Sequence, residues 1–217
     1  MSEAQAKPQR RVSPLSIAFG ISAVIVFALV SAAGIYTDWL WFRQLDFEVV
    51  FFTQIVGQIV AFLAGFVIMT LLASIGLMTA WRSRPVYLKM PDESPFQAYQ
   101  QLLEGLKKVI MLGLPALLGV FGGLIAAREW QTAALWLNGG PFGVTDPQFG
   151  LDVGFFVFDL PFYGFAVSYV SGGIFLAALI NAGVHLIFGG IRFSGREVTV
   201  SKPARIQLSI LIATYFM

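Results

Sequence analysis

Four long stretches of this chain carry no charged side chain, and no other feature limits its fold as severely. They run from Val12 to Thr37, Val49 to Trp81, Val109 to Ala127 and Leu160 to Ile191. A bilayer's hydrocarbon core, about 30 Å thick, is crossed by about 20 apolar residues of helix, so each stretch is long enough to span. A fifth run opens at Ile206 and continues to Met217. The sequence therefore predicts an all-α polytopic integral membrane protein with four complete transmembrane helices plus a truncated fifth. The expected spans are residues 15–36, 51–80, 109–127, 162–188 and 206–217. A basic tail (1–14) and loops 81–108 and 189–205 fall on one side, with loops 37–50 and 128–161 on the other. Composition agrees, because charged residues make up 12% of the chain where soluble domains carry about 25%. With no cysteine, disulfides and thiolate metal sites are excluded. The "KPQRR" tail, the apolar run and "SAAG" at Ser31–Gly34 also resemble a secretory signal. An uncleaved first helix is the preferred reading, since Leu15 to Tyr36 exceeds the usual signal core and further spans follow.

Basic residues set the orientation. Lys7, Arg10 and Arg11 lie in the tail; Arg82, Arg84, Lys89, Lys107 and Lys108 in one loop; Arg192, Arg196, Lys202 and Arg205 in another. Only Arg43 and Arg128 fall in the alternate loops. The positive-inside rule then places the N-terminus and the two basic loops in the cytoplasm. Seven of the 12 acids fall on the opposite side. Trp39, Trp41, Trp130 and Trp136 sit near outer helix ends and Trp81 near an inner one, at the level where an indole is half wet. In the 81–108 loop, Phe96, Tyr99, Leu102, Leu103, Leu106, Val109 and Ile110 recur at three- and four-residue spacing. That pattern predicts an amphipathic interfacial helix capped by Ser94, with Pro95 in its first turn. A helix packed on the protein itself fits the same single face.

The stretch "DPQFGLDVGFFVFDLPFY", Asp146 to Tyr163, crowds three carboxylates among aromatic rings. Asp146 before Pro147 reads as a helix cap followed by a first-turn proline, and Asp159 with Pro161 repeats the device. The carboxylates lie six and seven residues apart, unlike calcium loops with ligands at every second position, so caps are preferred over a metal site. "WLWF" at Trp39–Phe42, "PFGVTDPQFGLDVGFFVFDLPFY" at Pro141–Tyr163 and the spacing of the spans resemble the start of uncharacterised protein family 0182, large bacterial integral membrane proteins. The resemblance covers nearly the whole chain and implies further spans and a large extracytoplasmic region beyond it. It assigns no catalytic residue.

Within the spans, Gly57, Ala61 and Gly65 recur four apart, as do Gly119 and Gly123. Small residues at that spacing let helix backbones approach closely. Two polar pairs, Gln54 with Gln58 and Asn181 with His185, each share one helix face. His185 is the only ionisable side chain inside a complete span. It reads as a hydrogen-bonded structural group or, alternatively, as part of a transport pathway. No phosphate-binding loop, HExxH, GxSxG or CxxC pattern occurs. The expectation is a non-enzymatic membrane-embedded module that anchors and assembles a larger envelope protein, with no cofactor and no metal. Its partners would be the lipid bilayer and other membrane or envelope proteins, not nucleic acid. A transporter or channel, lined by Gln54, Gln58, Asn181 and His185 between spans two and four, is the alternative.

Overall fold

A computed structural model describes residues 13–84, 102, 104–194 and 197–217. The predicted interfacial helix falls largely outside them, its cap at Ser94 and Pro95 and the residues Phe96, Tyr99 and Leu103 included. The chain divides into two units, residues 1–55 and 56–217.

In the first unit, α1 runs from Pro14 to Gln44. Ser13 caps it by accepting a hydrogen bond from the Leu15 N–H at 3.3 Å, and Pro14 fills the first turn, where a missing N–H costs nothing. None of its residues is buried. Its apolar residues lie all round the helix rather than on one face. Asp46, at a φ of 58°, turns the chain into α2 (Glu48–Ser83). Arg43 lies over the Trp39 ring at 5.2 Å and 3.6 Å from Glu48.

The second unit holds the rest of α2, then α3 (Lys107–Arg128) and α4 (Trp130–Asn138). An irregular loop follows, then a single π-helical turn at Phe155–Asp159 that runs straight into α5 (Leu160–Ile187). Four helical stretches, Pro14–Gln44, Glu48–Ser83, Lys107–Arg128 and Phe155–Ile187, are long and apolar enough to cross a membrane. Pro14–Gln44 runs seven residues past the first charge-free run and Phe155–Ile187 begins five residues before the fourth, whereas Glu48–Ser83 and Lys107–Arg128 exceed theirs by one or two residues at each end.

From Val56 on, α2 packs against both α3 and α5. Its small residues make this possible. A Cβ built on Gly65 would stand 2.5 Å from Ala126 Cβ and 3.0 Å from the Gly122 carbonyl oxygen, and one on Gly57 would stand 2.6 Å from the Trp130 ring. Gly119 is pressed against Phe66 and Thr70, and Gly123 against Phe62. Two glycines outside the predicted stripes serve the same contacts. Gly76 meets the α5 backbone at Ala177, and Gly122 meets Met69 and Tyr169. The close approach lets the Tyr169 hydroxyl donate to the Gly65 carbonyl at 2.8 Å. One buried cluster forms around Met69, Ala126 and Tyr169, another around Leu77, Ala80, Trp81, Val184 and Phe188.

An all-α description needs one correction. α5 ends in a paired-bond cap: Gly189, at a φ of 74°, donates to Leu186 O, and Gly190 donates to His185 O at 2.6 Å. This left-handed closure satisfies the last carbonyls and reverses the chain. It feeds an antiparallel hairpin, β1 (Ile191–Ser194) with β2 (Glu197–Val200), in register Ile191 to Val200. The β-branched run Val198-Thr199-Val200 and the Ser194-Gly195 turn signal were the available clues, overshadowed by the loop's charges. The fifth apolar run forms α6 (Lys202–Tyr215), 14 residues long and started by Ser201 with a first-turn proline.

Candidate functional site: a buried polar cluster at one end of the bundle

Asn181 and His185, one turn apart on α5, are both 0% exposed. A buried polar group must find partners or cost stability, and theirs come from a residue that sequence reasoning passed over. Gln207, on α6, accepts from Asn181 Nδ2 at 2.9 Å and stands 3.0 Å from His185 Nε2 through the same oxygen, Oε1. Its amide nitrogen donates to the Thr79 carbonyl at 3.2 Å and to Ser83 Oγ at 2.6 Å, both on α2. One side chain thereby ties three helices together.

The network also assigns one ring hydrogen. The Thr79 carbonyl can only accept, so the Gln207 amide has one orientation, with its nitrogen toward α2 and its oxygen toward α5. His185 Nε2 must then carry a hydrogen to meet that oxygen. The other ring nitrogen, Nδ1, has no partner, and neither does Asn181 Oδ1. Gly190 explains the first. Its missing side chain leaves room for the imidazole, since a Cβ there would stand 2.7 Å from Nδ1. The ring is packed against backbone on that side.

Beside the cluster, the Arg84 guanidinium lies 4.5 Å from the Trp81 ring and 4.4 Å from Phe188, and reaches Glu104 at 3.2 Å. This stack closes the same end of the bundle where α2, α5 and the hairpin meet. Arg84, Lys107, Arg192 and Lys202 all belong to this end, as their places at the ends of α2, α3, β1 and α6 require.

Gln54 and Gln58 are not part of the cluster. They are half-buried and make no side-chain hydrogen bond among the described residues. Asn181 faces Gly76 on α2, 18 residues beyond Gln58, which at 1.5 Å per residue is about 27 Å along the helix. Gln54 lies a further turn away. Gln58 and the Asn181 contact, which the sequence offered as parts of one alternative pathway, therefore lie far apart along α2.

The loop between α4 and the π turn is organised by a different carboxylate from the two singled out above. Asp152 accepts from the N–H groups of Phe142 (2.9 Å), Gly143 (2.9 Å) and Gly154 (2.7 Å). The Phe142 N–H most of all, then Gly154 and Gly143, hold its pKa below the ordinary carboxylate value, with partial desolvation opposing them. Asp146 accepts from Gln148 and Phe149, but the segment it caps is a turn rather than a helix, closed by Gly150 at a φ of 68°. Asp159 is no cap. Its backbone is helical (φ −83°, ψ −48°), and its side chain makes no capping bond. The π turn already supplies N–H partners from before Asp159, so no helix begins there. Among the described residues no group of three His, Cys, Asp or Glu side chains could hold a metal ion.

Comparison with known proteins follows the same outline. The model of an uncharacterised protein family, UPF0182, matches residues 15–217. A UPF0182 protein of Clavibacter sepedonicus is 41% identical over 218 residues, covering 100% of this chain and 22% of the relative. Another, of Leifsonia xyli subsp. xyli, is 40% identical over 210 residues, 97% of this chain and 21% of its own. One from Mycobacterium avium is 40% identical over 90% of this chain and 20% of its own. The chain thus spans about a fifth of the length of the curated relatives it matches. No solved structure matches it. A family model that takes in all but the first 14 residues settles the affiliation: the chain belongs to the uncharacterised protein family UPF0182.

Proposed function

We propose that this chain is the N-terminal, membrane-embedded module of a larger cell-envelope protein, seated in the bacterial plasma membrane with its N-terminus in the cytoplasm. Its work is to anchor and assemble, not to catalyse. One observation carries the reading: the buried polar groups at the basic end are bonded to one another across three helices. A polar group whose bonds hold helices together is structural in effect, whereas a transport pathway needs polar groups free to exchange partners with a passing solute. The transporter alternative also loses its lining, since Gln58 stands about 27 Å along α2 from Asn181's contact. Exposed apolar side chains along α1, α2, α3 and α5 suit lipid and other membrane or envelope proteins as partners. The test is to co-express residues 1–217 and the remainder of a full-length protein as separate pieces. The proposal expects them to co-purify in mild detergent, and separate elution of two membrane-integrated pieces overturns it.

A further inference from the structure

The outer loop borders a half-open cavity of about 280 Å³ that none of the foregoing uses. Trp136 from α4, Phe155 and Phe158 from the π turn, and the carboxylates of Asp152 and Asp159 line it. The rings are held in place by their neighbours. Trp136 is stacked on Phe162 at 4.0 Å and 7°, so the cavity receives its opposite face or its edge. Phe158 is braced by Phe142 at 5.5 Å, and Phe155 by Phe156 at 5.4 Å. Asp152 has its oxygens committed to three backbone N–H groups. Asp159 is half-buried, with no hydrogen bond and no ion pair among the described residues.

We propose that this cavity binds an organic cation, an alkylammonium or guanidinium group, held between the aromatic rings and the Asp159 carboxylate. Two carboxylates and no lining Lys or Arg exclude an anion. Aromatic walls with no third metal-ligating group suit a large, weakly hydrated cation rather than a metal ion, since ring faces attract such cations and gain strength when water is excluded. The π turn contributes directly. Phe155, Phe158 and Asp159, three and four residues apart, share one wall, and the turn's wide bond, from the Leu160 N–H to the Phe155 carbonyl, is of a kind that recurs at functional sites. The cation has two possible sources: a free small molecule or, on the reading that the chain continues into a larger protein, a Lys or Arg side chain from beyond residue 217.

Saturation-transfer NMR with tetramethylammonium, compared with neutral tert-butanol, tests the site on the 217-residue chain in neutral detergent. The expected result is selective saturation of tetramethylammonium, weakened about tenfold or more by Asp159→Asn, a loss of one charge partner worth about 1.4 kcal/mol. Phe158→Leu should weaken it too, and serves alone if the Asn variant melts lower. Equal saturation of both probes, an undiminished signal in the variants, or no signal overturns the proposal. The full-length protein separates the sources. Retained binding points to a free cation. Lost binding together with a lower melting temperature for full-length Asp159→Asn points to a side chain from the rest of the protein. Lost binding with no such change means an apolar group fills the cavity, and the proposal fails.

Discussion

Gln207→Leu should be the most damaging single substitution in the chain, lowering stability by about 2–4 kcal/mol. Interhelical hydrogen bonds in membranes average only about 0.6 kcal/mol, because the separated helices find other partners. Gln207 is a stronger case for a geometric reason. It serves Asn181, His185, Thr79 and Ser83 at once. Two of those partners are 0% exposed and already lack a bond at their other polar atom. Leucine would leave both without any strong bond, at about 1–3 kcal/mol for each stranded group. Unfolding by denaturing detergent, followed by circular dichroism, measures the loss. A variant carrying both Gln207→Leu and His185→Leu should lose less than the sum of the single changes, since the pair no longer strands either member. Gln58→Leu should stay within about 0.5 kcal/mol of the parent, having no bond to lose. A large effect at Gln58 with none at Gln207 would return the transport pathway to consideration.

Gly65→Leu is expected to be the next most severe, at about 1–3 kcal/mol for overpacking. The obstruction is a methyl with no rotamer to adopt and a backbone carbonyl, neither of which can rotate away: the new Cβ would meet Ala126 Cβ at 2.5 Å and the Gly122 carbonyl at 3.0 Å. Relief requires α2 and α3 to separate, and the added carbon would also stand 3.1 Å from the Tyr169 hydroxyl that donates to the Gly65 carbonyl. Thermal unfolding in detergent should fall for Gly65→Leu and remain near the parent for Gly164→Ala, where nothing lies within 4 Å of the added carbon. An unchanged melting curve for Gly65→Leu would contradict the packing described for α2.

What the sequence made legible and what it hid have physical causes. Charge-free runs report helices because hydrocarbon tolerates no unpaired backbone group, so length and apolarity alone identify a candidate span. Glycine spacing located Gly57, Gly65, Gly119 and Gly123 because a stripe is a local property of one helix. Gly76 and Gly122 escaped it because what requires them is a partner on another helix, at Ala177 and at Tyr169. Asn181 and His185 were visible as an isolated polar pair, whereas Gln207 lay in a short run whose docking no local pattern announces. The loop carboxylates were misassigned for a related reason. An Asp before Pro looks like a cap at Asp146 and near Pro161 alike, yet the bonds that shape the loop reach ten residues back from Asp152 to Phe142. Local signals report local bonds, and the loop is held by longer ones.

The central claim, a membrane-embedded module whose basic end faces the cytoplasm, is tested most directly by accessibility. The chain has no cysteine, so single cysteines can be placed at exposed Phe149 in the outer loop and exposed Val198 in the hairpin. A membrane-impermeant maleimide applied to intact cells should label the cysteine at position 149 and leave the one at 198 unlabelled until the membrane is opened. Labelling of 198 but not 149 would reverse the orientation, and labelling of both in intact cells would contradict the claim that the chain spans the membrane between them.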